Sequence, residues 1–101
     1  MDAIAREFAS LVRGRLGPRV RRLTLFGSRA RGDARHDSDY DVLLVVDGSR
    51  RDAREIVLDV EVEMLDRHDA VFASLVRSEQ EWEESQGFPL AANIAREGMD
   101  R

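Results

Sequence analysis

Two short apolar runs, Leu23 to Phe26 and Val42 to Val46, flank a glycine-bracketed turn and a pair of aspartates. No other feature of the chain constrains its fold as tightly. The turn reads Gly27-Ser28-Arg29-Ala30-Arg31-Gly32, and a polar spacer separates it from Ser38-Asp39-Tyr40-Asp41. Apolar runs of this length, bounded by turn residues, are strands. Alternate side chains on a strand share a face, so Asp39 and Asp41 should lie side by side with Tyr40 pointing away. Two hard oxygen ligands placed like this suit Mg²⁺, which takes a few carboxylates together with phosphate oxygens and water. The glycine turn complements them: glycines permit close approach of backbone N–H groups, and a helix starting there would aim its positive end at an anion. Bare carboxylates this close repel one another, so the pair should be poised to recruit a cation.

The remaining periodicities supply the rest of a small domain. Ile4, Phe8, Leu11, Val12 and Leu16 recur at helical spacing and stop at Gly17-Pro18. Val20 to Phe26 reads as the first strand, residues 28–32 as a turn with a short helix, 33–37 as a loop, and Asp39 to Val46 as the second strand, ended by Asp47-Gly48-Ser49. Residues 52–66 fit two patterns, because Val60, Val62 and Met64 alternate with acids as in a strand. The longer stripe of Ala53, Ile56, Val57, Val60 and Met64, widened by Leu58, Val62 and Leu65, predicts a helix. Asp69 to Val76 reads as the third strand, Glu79 to Ser85 as a short helix capped by Ser78, and Pro89 opens a last helix ending at Gly98. The order predicts an α/β (α+β) fold, a small mixed β-sheet flanked by helices.

At 101 residues the chain is expected to be a single domain spanning 1–101, with no room for a separate substrate domain. The absence of cysteine rules out disulfides and thiolate metal sites, and fits a reducing, cytoplasmic setting. No apolar stretch is long enough to cross a bilayer, and the start lacks the pattern of a secretory signal, so no membrane association is expected. A net charge of −4 argues against direct nucleic-acid binding. Eight arginines between Arg13 and Arg35 form either a collar for a triphosphate or ordinary solvated faces; the latter suits Arg13 to Arg22 better. Arg29 and Arg31 sit inside the glycine turn, where a guanidinium could reach phosphate oxygens. His36 and His68 lack a partner at ligand spacing and read as loop residues. Trp82 and Phe88 read as satellite core or a contact surface.

Gly27-Ser28, the second glycine, the spacer and Ser38-Asp39-Tyr40-Asp41 before an apolar strand together resemble the nucleotidyltransferase superfamily related to polymerase beta, and most closely its minimal members. The resemblance implies the nucleotidyltransferase fold and transfer of a nucleoside monophosphate from a nucleoside triphosphate, with ATP as donor and Mg²⁺ as cofactor. Gly27, Ser28, Arg29, Arg31 and Ser38 would hold the nucleotide, although a turn hydroxyl is the other reading for Ser38. Asp39 and Asp41 would hold the metal. Active members carry a third carboxylate, catalytic and metal-binding, on the third strand. Asp69 is the acid at the start of that strand, and Ala73 and Ser74 deeper in it offer none.

Minimal nucleotidyltransferases resemble one half of a two-gene system whose other half is an all-helical protein of the HEPN type. The implied function is that of an antitoxin which transfers AMP to a HEPN-type toxin. The alternative is a weak or inactive nucleotide-binding antitoxin that neutralises its partner by contact alone. Homo-oligomerisation is compatible with either.

Overall fold

The computed structural model describes residues 3–35 and 38–100, so the histidine at 36 lies outside the described part. The chain forms helix α1 (Ala3–Leu16), a 3-10 turn at Gly17–Arg19, strand β1 (Val20–Phe26), helix α2 (Ser28–Arg31) and strand β2 (Tyr40–Val46). Helix α3 (Arg50–His68), strand β3 (Phe72–Ser78), helices α4 (Glu79–Glu84) and α5 (Pro89–Glu97), and strand β4 (Met99–Asp100) follow. No helix among the described residues is long and apolar enough to cross a membrane.

The sheet runs in the order β3-β2-β1-β4 and is mixed. β1 pairs antiparallel with β2 and β4, whereas β2 and β3 are parallel. The parallel pair follows from the long helix between them, since parallel neighbours need a crossover. One face of the sheet presents Leu23, Leu25, Val42, Leu44 and Val46 to Phe8, Val12 and Leu16 of α1 and to Val57, Val60 and Met64 of α3. The rings of Phe8 and Tyr40 stack on opposite sides of Phe72, with centroids 4.2 and 4.4 Å away. The other face gathers Leu43, Val45 and Ile94 with Phe26, Leu75 and Trp82, so Trp82 belongs to a second, smaller core. Phe88 stays 63% exposed.

Both halves of the sequence pattern appear, the helix pairs and the mixed sheet, but three expectations need correction. The third strand begins at Phe72, because α3 continues to His68 and the chain then needs a helix end. Asp69 is that end: it takes a left-handed conformation, φ 52°, and its N–H bonds the carbonyl of Leu65. His68 is accordingly helical. Leu58, Val62 and Leu65 do not widen the buried stripe of α3; they are 53, 50 and 46% exposed. β4 was not expected, since two residues carry no periodicity. It forms because Gly98 lets the chain pass against Thr24, where a β-carbon would collide with the Thr24 methyl group.

Candidate active site

β1 and β2 lie side by side with Phe26 opposite Asp41, so the end of one strand delivers the glycine turn to the start of the other. Gly27 has φ 76°, a conformation open to glycine and little else, and a β-carbon there would collide with Oδ2 of Asp41. The bare glycine therefore makes room for the carboxylate. α2 starts immediately after it, and Gly32 closes that turn with φ 83°. Tyr40 is buried among α1 and α3, whereas Asp41 alternates to the opposite face, as the strand repeat requires.

Asp39 precedes β2 by one residue and is exposed. Its charge reaches Asp41: partial burial pushes the Asp41 carboxyl above its usual range, repulsion from Asp39 pushes it further, and Arg31 opposes both. The two aspartates thus form the repelling pair that a cation would relieve. Two carboxylates beside a bare glycine fit a divalent ion shared with phosphate oxygens, which needs few protein ligands.

The other expected residues have partners within the chain. Arg29 donates through Nε and Nη2 to the carbonyl of Ser38, at 3.2 and 2.8 Å, and its guanidinium lies 4.3 Å from the centre of the Tyr40 ring. It holds the segment that carries Asp39. Ser38 accepts a hydrogen bond on its hydroxyl from the N–H of Arg35 at 2.8 Å, the bond of a turn residue. Arg31 stays at the rim, paired with Glu97 of α5 at 2.8 Å and Asp33 at 3.2 Å. Glu97 lies 66 residues away in sequence, and no local signal links it to the turn.

Asp69 does not join the aspartate pair. It lines a cleft of about 620 Å³ with Arg29, Tyr40, His68 and Val71, and Tyr40 points to the sheet face opposite Asp41. Among the described residues no group of three or more His, Asp or Glu is placed to hold a metal. In the parallel register the residue beside Asp41 on β3 is Ala73, so the strand position that would carry a third carboxylate carries a methyl group. Asp59 is solvated, Glu63 pairs with Arg15 at 2.7 Å, and Glu61 accepts from the N–H of Ser74 at 3.0 Å. His68 pairs with Glu7 at 3.1 Å. Arg19, Arg21 and Arg22 bind Asp47, Glu79 and Asp100 or nearby carbonyls and form no collar around the turn.

The chain is similar to known proteins in sequence and in fold. A candidate protein adenylyltransferase from Methanocaldococcus jannaschii is 29% identical over 93 residues, spanning 92% of this chain and 89% of the relative. A toxin–antitoxin crystal structure with AMP-PNP superposes with a TM-score of 0.64 at 17% identity, over 93% of this chain and 69% of that one. A candidate nucleotidyltransferase from Sulfolobus solfataricus superposes with a TM-score of 0.53 at 24% identity, over 96% of this chain and 75% of that one. At such identities the structural likeness establishes the fold. The sequence itself matches the nucleotidyltransferase domain family over residues 3–94, and the chain belongs to that family.

Proposed function

We propose that this nucleotidyltransferase binds ATP against the Gly27–Ser28 turn and transfers AMP to a protein acceptor, acting as the antitoxin of a helical, HEPN-type toxin. The observation that carries the reading is the seat of Asp41 against Gly27, with Asp39 beside it. That seat brings two carboxylates to the mouth of a glycine turn, where triphosphate oxygens and a metal meet. The name of the archaeal relative supports a protein acceptor, and the toxin–antitoxin neighbour with AMP-PNP supports an adenine nucleotide and a toxin partner.

Asp39 and Asp41 would hold Mg²⁺, whose chemistry would be charge neutralisation at the attacking and leaving oxygens. The protein's own contribution is positioning. The turn offers the backbone of Gly27 and Ser28 at the start of α2, where the Gly27 carbonyl already takes the N–H groups of Ala30 and Arg31. Arg31 lies close enough to act on Asp41 and is the cation available to a phosphate, once released from Glu97. Arg29 fixes the Ser38 carbonyl and so the approach of Asp39.

Ala73 beside Asp41 favours a second reading. Without a carboxylate there, nothing on β3 takes the proton of an acceptor hydroxyl, and the domain would bind nucleotide and partner while transferring slowly or not at all. Radiolabelled ATP, Mg²⁺ and the purified helical partner separate the two. Transfer by wild type, lost when Asp39 and Asp41 are both changed to Asn, supports the enzyme; no transfer with tight partner binding retained supports the binding module.

A further inference from the structure

Helix α3 buries Ala53, Val57, Val60 and Met64 and turns the opposite face to solvent. On that outer face Leu58, Val62 and Leu65 repeat at spacings of four and three, and Arg51, Glu55 and Asp69 continue the same row at both ends. This is the a/d seam of a coiled coil, apolar at the centre and charged at its ends. The ends have opposite sign. Arg50, Arg51 and Arg54 stand against Asp52 and Glu55 in the first half, whereas Asp59, Glu61, Glu63 and Asp66 stand against Arg67 in the second half, with Asp69 just past its end. The side chains of Arg51, Asp66 and Asp69 have no hydrogen-bond or ion-pair partner among the described residues.

We propose that this face is a two-fold interface between two copies of the chain, with α3 packed antiparallel on α3. Charge complementarity selects both the occupant and the direction. A parallel pair would set like charges together at each end, whereas an antiparallel pair sets the basic end of one helix on the acidic end of the other, twice over by symmetry. With the axis level with Val60, Leu58 packs on Val62 of the second copy, Leu65 lies along the stem of Glu55, and Arg51 meets Asp69. Asp69, which the aspartate pair does not use, thereby acquires a role. The seam is short, so the dimer dissociates on dilution.

Sedimentation velocity of the full chain, from low to several hundred micromolar, reads the equilibrium directly. The chain should pass from monomer to dimer, and Val62→Glu should weaken association by about tenfold or more, as expected for a charge placed at the centre of an interface. Arg51→Glu and Asp69→Arg should each weaken it, and the double variant should regain it because both ion pairs are restored with inverted sign. Melts at low concentration confirm that each variant is folded; the substituted side chains are solvent-exposed, and Leu58→Ser repeats the Val62 test if Val62→Glu fails to fold. A chain that is monomeric throughout overturns the proposal, as does a dimer indifferent to Val62→Glu or a double variant weaker than either single. Loss of binding to the helical partner in Val62→Glu, with the wild-type chain monomeric alone, also overturns it and assigns the face to that partner.

Discussion

A β-carbon at position 27 and the Asp41 carboxylate compete for one volume, and the turn's φ of 76° excludes an ordinary side chain a second time. Gly27→Ala should therefore destabilise the fold by about 2 kcal/mol, the scale of strain at a special backbone position, or displace Asp41. Thermal melts read the first outcome, and calorimetry with Mg²⁺ and ATP reads the second as lost affinity. A variant that matches wild type in both measurements would refute the close-approach argument. The strand repeat made the opposite faces of Tyr40 and Asp41 legible, because alternation is a local property of any extended chain. The partner of Arg29 was not legible. Its guanidinium rests on the Tyr40 ring and the Ser38 carbonyl, and both contacts exist only once α2 and the start of β2 lie side by side.

At the scale of elements, the end of α3 decides what Asp69 is. An exposed acid after an apolar helix and before an apolar strand reads equally as helix end or strand start, and only its left-handed φ of 52° separates the two. Asn tolerates that conformation as Asp does, so Asp69→Asn should leave the melt within about 0.5 kcal/mol of wild type and leave any AMP transfer unchanged. A drop of about a hundredfold, the scale of a lost general base, would return Asp69 to the mechanism. α4 was legible to within a residue because its start is chemically marked. Ser78 accepts from the N–H of Glu81 while Glu81 accepts from the N–H of Ser78. Ser78→Ala should cost about 1 kcal/mol, measured by urea denaturation. The outer stripe of α3 misled for a different reason: periodicity registers apolar residues without saying which of them the sheet has room to cover.

For the molecule as a whole, the mixed sheet and the helices flanking it followed from the order of the elements, since a helix as long as α3 between two strands implies a parallel crossover. β4 did not, and it matters beyond its length, because it brings Asp100 to the buried Thr24. Among the described residues, Asp100 is one of three acids that the fold holds below their usual range. The Thr24 hydroxyl holds it down, the Ser78 N–H does the same for Glu81, and His68 does so for Glu7. Each releases its proton more readily in the folded chain than in the unfolded one. Stability from them is therefore present above the ordinary values of 3.8 for Asp and 4.5 for Glu and is lost as pH falls through the folded values. Asp41 has the opposite sign. Burial and Asp39 raise it, so the folded state is favoured below its ordinary value of 3.8 and pays a penalty once the pH rises through the folded value. Urea melts from neutral pH down to about pH 3 should show wild type weakening on acidification, with the carboxylates as the responsible groups. Asp100→Asn should be less stable at neutral pH and flatter in acid. Asp41→Asn without metal should be more stable at neutral pH by at most about 0.5 kcal/mol, since the site is open and screened, and should converge on wild type in acid. If Asp41→Asn instead loses stability at neutral pH, Asp41 is a fold-supporting charge and not a strained one, and the case for a carboxylate pair poised for a cation fails with it.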